Sequence, residues 1–550
     1  MIIKILFSLL FALMMALNQM IVTGDPEVEI FTGIDYNYLT QVTGFAVFAF
    51  VCSFIGMFVL LTLASKLATR LEKKAQLSST QNTNTVDISD KINSKLLLMF
   101  TIVIAVCWLP YLLSNIPGGV FFDNYMVYDI VHGRYPMTNQ QPILYTLIHL
   151  FLFKIIVGLF GGTMQTVVLT MTLIQYIILA VGLSWFLCWM KKRNISKPII
   201  IIVLAFFALF PLFPGYAISN WKDTLFSLFL FLFSIAVADL VLDGTRRLSD
   251  RNWIIRYLVL AFLVCFFRNN GIYIIVVCSA ILLFVYRKEI FKKKNRTYTF
   301  TSILLIVITL IVQGPVYDSL GYSERNSIEM NGIPLQQVSF VILSGGDVSE
   351  DELAFIDNIV SSDIREVYFS PNGIDPMKRN IGESGQQFLT EHQGEFLRHW
   401  FNIVSRNPKQ AIEAYLFATL GFWNIDKGSS HGYVQTAFSP GWEWHGLTSI
   451  DLIDEITGYS IYSRLLPKFY ISAALFGWFF LFCFVLILVR KKYSMLIPFV
   501  PVLVLWATIM VSTPISYSLR YVFATVLFIP LALLLAFVLK SRTPSDTDQI

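Results

Sequence analysis

Charge is what this sequence has least of: Asp, Glu, Lys and Arg make up 14% of its 550 residues, while 56% are hydrophobic. A soluble domain of that composition could not hide its apolar surface, so the chain reads as a polytopic membrane protein. Cysteine is sparse too. All six (Cys52, Cys107, Cys188, Cys265, Cys278, Cys483) fall inside apolar runs, which suggests neither a disulfide framework nor a CxxC metal site. GxGxxG, Walker and HExxH signatures are absent, so nucleotide binding has no motif behind it and no nucleic-acid partner is expected.

What is abundant is apolar length. Runs long enough to cross a bilayer, roughly 17 to 25 residues, occur near 3–22, 44–65, 96–113, 163–190, 198–216, 223–243, 253–267, 270–286, 299–315, 468–489, 493–512 and 520–539. These make about twelve transmembrane helices. A thirteenth run, "PILYTLIHLFLFKIIVGLFGG" at 142–162, contains His149 and Lys154. If it does not span, the basic clusters at 66–74, 191–197, 246–251, 287–296, 490–492 and 540–542 all lie on one side, with both termini cytoplasmic; if it does, every later cluster is exported. The run is therefore expected to lie in the outer interface, apolar face in lipid and polar residues toward the protein. The first run has only Lys4 as a basic n-region and no clear small-x-small site, so it reads as a transmembrane helix rather than a signal peptide.

This topology divides the chain into 1–95 (two helices and a cytoplasmic loop), 96–315 (a transmembrane core with a first extracytoplasmic loop at 114–162), 316–467 (an extracytoplasmic domain) and 468–550 (three helices and a cytoplasmic tail). In 316–467, Asp and Glu outnumber Lys and Arg twenty to nine. The segment is too long for a structureless loop, and two capped helices are expected in it. One starts at Ser349 with Glu352 three residues on, and the other at Asn407 with Pro408 in the first helical position.

Outside that domain only five basic residues face outward: Arg134, Lys154, Lys222, Arg268 and Arg520. Three sit at helix ends in polar company, in "NWKDTLF" (Lys222, Asp223), "FFRNNGIYI" (Arg268, Asn269) and "PISYSLRYVFA" (Arg520, Tyr521). Cations there defy the positive-inside tendency and cost about 2 to 3 kcal/mol each if drawn into the bilayer. A shared anion would offset that cost, and the phosphate of a lipid-linked sugar suits Lys and Arg donors at the outer leaflet. Singly, each has a plainer reading: the arginines snorkel to headgroups, and Lys222 pairs with Asp223.

The loop "PGGVFFDNYMVYDIVHGRYPMTNQQPILYT" at 117–146 carries two carboxylates, Asp123 and Asp129. A partly desolvated Asp123 gains a tendency to accept a proton and can act as general base toward a hydroxyl. It could equally hold a divalent cation, Mg or Mn, against a phosphate, or serve as a first-turn helix residue. The sequence requires no cofactor. All six His fall on the outward side without metal-ligand spacing. His445, in "GWEWHG", is either a glycan contact or part of an interfacial aromatic anchor.

Taken in order, Pro117-Gly118-Gly119, Asp123, the Gly133 turn, "TNQQPILYTLI" and a helix ending "LFGG" resemble the first extracytoplasmic loop of the GT-C membrane glycosyltransferases, particularly bacterial members that use polyprenyl-phosphate sugars. "NWKDTLFS", "FRNNG" and "SLRYVFATVLFIPL" are similar to short motifs in the same group. The resemblance covers the chain from about 96 onward. It implies a GT-C-like α-helical fold, a lipid-linked sugar donor and an extracytoplasmic glycan acceptor. It also implies Asp123 as the base, with Lys222, Arg268 and Arg520 as donor-phosphate contacts. Asp223, Asn269, Tyr521, Asp129, Gln141 and His445 complete the candidate substrate contacts. The chain departs from the pattern at Gln141-Pro142, where many relatives have His-Pro or Lys-Pro, and at Asn124, where they have a second acid; the second acid and metal dependence therefore stay open. Two rival classes remain: a transporter or flippase of lipid-linked saccharides, which would place ionisable groups near mid-membrane, and a glycan polymerase or ligase.

Overall fold

The computed structural model describes residues 1–19, 44–79, 92–322, 327–370, 373–425, 446–461, 472–512 and 518–539. Among them there is no β-strand, and a helix lies on each of the twelve apolar runs. Seven helices are long and apolar enough to cross a membrane, or eight when one bent pair counts as a single span. The chain is thus an α-helical, multi-pass membrane protein.

Helices α1 (Ile2–Asn18) and α2 (Gly44–Ser79) pair with each other and lean on the later helix Ala473–Val489. Glu72 of α2 fixes the join through ion pairs with Arg490 and Lys492. α3 (Ser94–Leu113) is started by Asn93, whose side chain accepts from Leu96 N–H at 3.2 Å, the usual relief for an unpaired first-turn donor. α4 (Phe122–Val131) and α5 (Ile143–Phe153) follow in the loop region, and α5 continues through a π turn, Lys154–Leu159. Thr146 and His149 are buried while Leu147, Phe151, Leu159 and also Lys154 are exposed, so the polar residues of α5 face the protein but Lys154 does not.

α6 (Met164–Lys192), the pair α7 (Lys197–Leu209) and α8 (Leu212–Ile218), α9 (Lys222–Asp243), α10 (Arg251–Phe267) and α11 (Gly271–Val285) build the rest of the first half. α7 and α8 meet at a 51° bend that falls at Pro211, which cannot donate its backbone hydrogen bond. α9 is the axis of the bundle: it is buried nearly all round, against α6, α10 and the helix Phe523–Leu533. Such all-round apolarity is what a helix enclosed by other helices requires. By contrast α2, α3 and the span Lys293–Ser319 are mostly exposed apolar surface, the mark of lipid-facing helices.

One end of the bundle is closed by a buried ionic cluster. Arg193 binds Asp239 and, at 2.6 Å, Asp243; Arg247 binds Asp243 at 2.8 Å and Asp250 at 2.7 Å; Arg256 binds Asp239. Trp189 Nε1 donates to Asp239 at 2.8 Å.

The 316–467 segment has a hydrophobic core of its own, running from Ile328 to Ile403 and including Leu335, Val341, Ile356, Met377 and Phe396. Ser349 and Glu352 form the expected capping box on helix Glu350–Asp357. Asn407 precedes helix Pro408–Ala418 but does not cap it with its side chain. Its Oδ1 instead accepts from Asp347 N–H at 2.7 Å and its Nδ2 donates to Asp347 O at 2.8 Å, so the amide clips two segments together.

Candidate active site

At the opposite end of α9 from the Arg193 cluster, two loops are fused through their backbones. Gly119 N–H donates to Ile218 O at 2.9 Å, and Asn220 N–H donates to Gly119 O at 2.8 Å. Gly118 has φ +123°, and a Cβ there would sit 2.8 Å from Ile218 O and collide with Thr172. Only glycine suits this approach of the two chains. Behind the junction, Gln175 donates to the carbonyls of Tyr216 (3.0 Å) and Ala217 (3.1 Å), and Phe121 stacks on Trp221 at 4.1 Å. The loop before α4 and the loop before α9 therefore form one rigid wall.

Asn124 has a structural task of its own. It is buried; its Oδ1 accepts from Phe121 N–H at 2.9 Å, and its Nδ2 donates to Asn220 O at 2.7 Å and Tyr145 Oη at 3.2 Å. A carboxylate could not supply those donors. Asn124, not Asp123, closes the first turn of α4, which leaves Asp123 free to face outward from it.

Four sequence-distant elements then converge. Asp123 Oδ2 lies 3.1 Å from Arg520 Nη1 and 3.7 Å from Lys222 Nζ. Lys222 also donates to Gln141 Oε1. Asp223, wholly buried, takes Arg268 Nη1 at 2.9 Å. Adjacent residues on a helix point about 100° apart, so Lys222 and Asp223 serve different partners rather than each other. Tyr521 lies beneath both arginines, its ring centroid 5.0 Å from Arg268 Cζ and 4.8 Å from Arg520 Cζ, and its hydroxyl accepts from Arg520 at 3.0 Å. Asn269 Nδ2 donates to Asn139 O at 2.8 Å, tying the α10–α11 corner to the "TNQQP" loop.

Burial alone would raise the Asp123 carboxyl, but the charges of Arg520, Lys222, Lys378 and Arg268 outweigh it and hold the group well below the usual carboxylate range. The sequence-based expectation of a raised proton affinity is corrected here, because cations at these distances outweigh desolvation. Nor do the residues suit a resident divalent cation. Asp123 Oδ2 already faces two positive groups, and among the described residues no three His, Cys, Asp or Glu side chains gather.

Asp129 does not join the cluster; it pairs with Arg134 at 3.8 Å. His445 lies outside the described residues. Two contributors escaped the sequence reading. Trp221 stands under Arg520, ring centroid 5.5 Å from Cζ, and its position beside Lys222 in a polar loop could have flagged it. Lys378 had no such signal, being one of the nine basic residues of the 316–467 segment.

Fold and site together define a multi-pass α-helical membrane protein with a cluster of three cations and two carboxylates at one end of its bundle. The chain belongs to DUF6020, a family of unknown function whose model matches residues 118–550. The match takes in every residue of the cluster and leaves out α1, α2 and α3. No curated protein and no solved structure matches the chain.

Proposed function

We propose that the protein is a membrane glycosyltransferase that moves a sugar from a polyprenyl-phosphate donor to an extracytoplasmic acceptor, a cell-envelope glycan or lipid-linked saccharide. On this reading the chain spans the plasma membrane twelve times in a GT-C-like arrangement. Both termini are cytoplasmic, residues 316–467 are outside, and 142–162 lies in the outer interface.

The observation that carries the reading is the meeting of Asp123 with Lys222, Arg268 and Arg520 from four separate elements. Three cations to two carboxylates leave a local surplus of one positive charge, suited to a singly charged phosphodiester. Arg520 and Lys222 hold Asp123 only at 3.1 and 3.7 Å, so an arriving phosphate can take over their donors. Asp123 then loses positive company, and its proton affinity rises when an acceptor hydroxyl must be deprotonated. Gln141 and Asn269 position Lys222 and the adjoining loop, and Tyr521 holds the two arginines side by side.

The 51° break between α7 and α8 favours a second reading, a transporter of the same lipid-linked saccharides, since broken helices mark transporter sites. Mass analysis of envelope glycans from cells with and without the gene, repeated with Asp123→Asn, separates the two. Loss of one glycosidic linkage in both strains supports transfer. An unchanged glycan profile in the Asp123→Asn strain would sink the enzyme reading.

A further inference from the structure

Two loops beside the cluster bring amide side chains to it. Gln141 closes the polar run 138–141, and its Oε1 accepts from Lys222. Asn269 and Asn270 follow Arg268 at the α10–α11 corner, and Asn269 Nδ2 donates to Asn139 O at 2.8 Å. The run before α5 and the corner after α10 therefore touch, the first holding Lys222 and the second carrying Arg268.

The partners of these amides fix which of their atoms remain unused. Lys222 Nζ has only protons to offer, so the Gln141 atom that meets it is the carbonyl oxygen. Nε2, the other corner of the same amide, keeps its protons: Gln141 is only 7% exposed, yet Nε2 meets no acceptor among the described residues. Thr508, on the helix Val500–Val511, gives its own proton to Leu505 O at 2.8 Å. The Asn270 atom 2.8 Å from Thr508 Oγ1 must then be the donor Nδ2. That leaves Asn270 Oδ1, and with it Asn139 Oδ1, buried without a hydrogen-bond donor among the described residues. Buried polar atoms left unpaired are costly, so both carbonyls call for a partner.

The chemistry of the three atoms says what that partner is. A phosphodiester offers oxygens alone, so it can satisfy Gln141 Nε2 but neither carbonyl. A hydroxyl donates and accepts, and can meet all three. In a lipid-linked sugar the anomeric carbon is bonded to a phosphate oxygen, so the ring hydroxyls lie beside whatever groups hold the phosphate. We propose that Gln141, Asn139 and Asn270 form the subsite for the donor's sugar ring, reading its hydroxyls while Lys222 and the arginines hold the phosphate. The inference rests on the donor-phosphate reading above, and its test separates the two.

The probes are farnesyl methyl phosphate, a phosphodiester without a sugar, and the farnesyl phosphoryl derivatives of glucose, galactose, mannose, N-acetylglucosamine and arabinose. Each is titrated calorimetrically into the purified full-length protein in detergent. The unaltered protein should bind one of the sugar diesters at least about tenfold more tightly than the methyl diester, the scale of one or two hydrogen bonds. Asn139→Ala removes a side chain with no hydrogen bond to the described residues, so the fold should tolerate it. It should cut the sugar advantage about three- to tenfold and leave the methyl diester within about twofold. Gln141→Met should weaken the sugar diester more than the methyl diester. If Gln141 serves only to hold Lys222, it weakens both by the same factor. That result overturns the inference, as does an Asn139→Ala protein that keeps the full advantage, or an unaltered protein that prefers no sugar, while Arg520→Ala still weakens every probe. If Arg520→Ala weakens none, the donor-phosphate reading itself falls.

Discussion

The two ends of α9 carry the same kinds of side chain and use them differently. At one end Arg193, Arg247 and Arg256 meet Asp239, Asp243 and Asp250, three against three, and Arg193 and Arg247 are almost wholly buried. At the other, Asp223 and Arg268 also make a buried pair at 2.9 Å, but Asp123 keeps 30% of its side chain accessible and stands 3.1 and 3.7 Å from its two cations. Charges that are balanced, buried and tightly paired tie helices together but leave no room for a ligand. Loose pairing with a surplus cation, open to solvent, costs stability and leaves donors that a phosphate can claim.

The sharpest way to break that contrast is to remove one partner from each end. Asp239→Ala should take one carboxylate partner from both Arg193 and Arg256 and cost about 3 to 5 kcal/mol, as removal of one member of a buried pair does; thermal unfolding in detergent checks it. Asp123→Asn should cost less than about 1 kcal/mol in the same measurement, yet lower the transfer rate by about a hundredfold, the lower range for loss of a general base. Equal stability losses at the two ends would erase the distinction. A smaller effect is expected from Arg268→Ala, which should weaken farnesyl phosphate binding by about tenfold while leaving acceptor KM unchanged. An equal loss of both would count against a phosphate contact.

The smallest effect concerns pH. Asp123 is held below its ordinary value, so the stabilisation it draws from its cations is intact above the unfolded value of ~3.9 and disappears only as pH falls through the lower folded value. Stability between about pH 5 and 8 should not sense this group. On the proposed reading donor binding moves cations off Asp123, so the acid limb of kcat should lie at higher pH than that of kcat/KM, because the first reports the complex and the second the free enzyme. Coincident limbs would show that the donor leaves Asp123's surroundings unchanged.

Much of this was readable in the chain. The apolar runs gave the helices, because burial in lipid imposes length and apolarity on every span. Lys222, Arg268 and Arg520 stood out because they broke the charge asymmetry that orders the rest. Asp129 misled, since residue type and loop membership do not say which face of α4 meets the site: Asp123 is turned to the cations, and Asp129 is paired with Arg134. Asn407 misled in a smaller way, taking the cap position but spending its amide on Asp347. Lys378 was out of reach for another reason. Its place depends on Glu329, 49 residues before it, and on Ser512, 183 residues beyond Glu329, contacts that no local pattern encodes.

The backbone junction at Gly119 and Asn220 also bears on which side of the cluster can move. It welds the carrier of Asp123 to the carrier of Lys222, with Gly118 admitting no side chain between them and Gln175 pinning the carbonyls behind. Neither half of that wall can swing without breaking buried hydrogen bonds. The cluster is therefore a vice with one fixed jaw: any rearrangement around Asp123 falls on the side that carries Arg520.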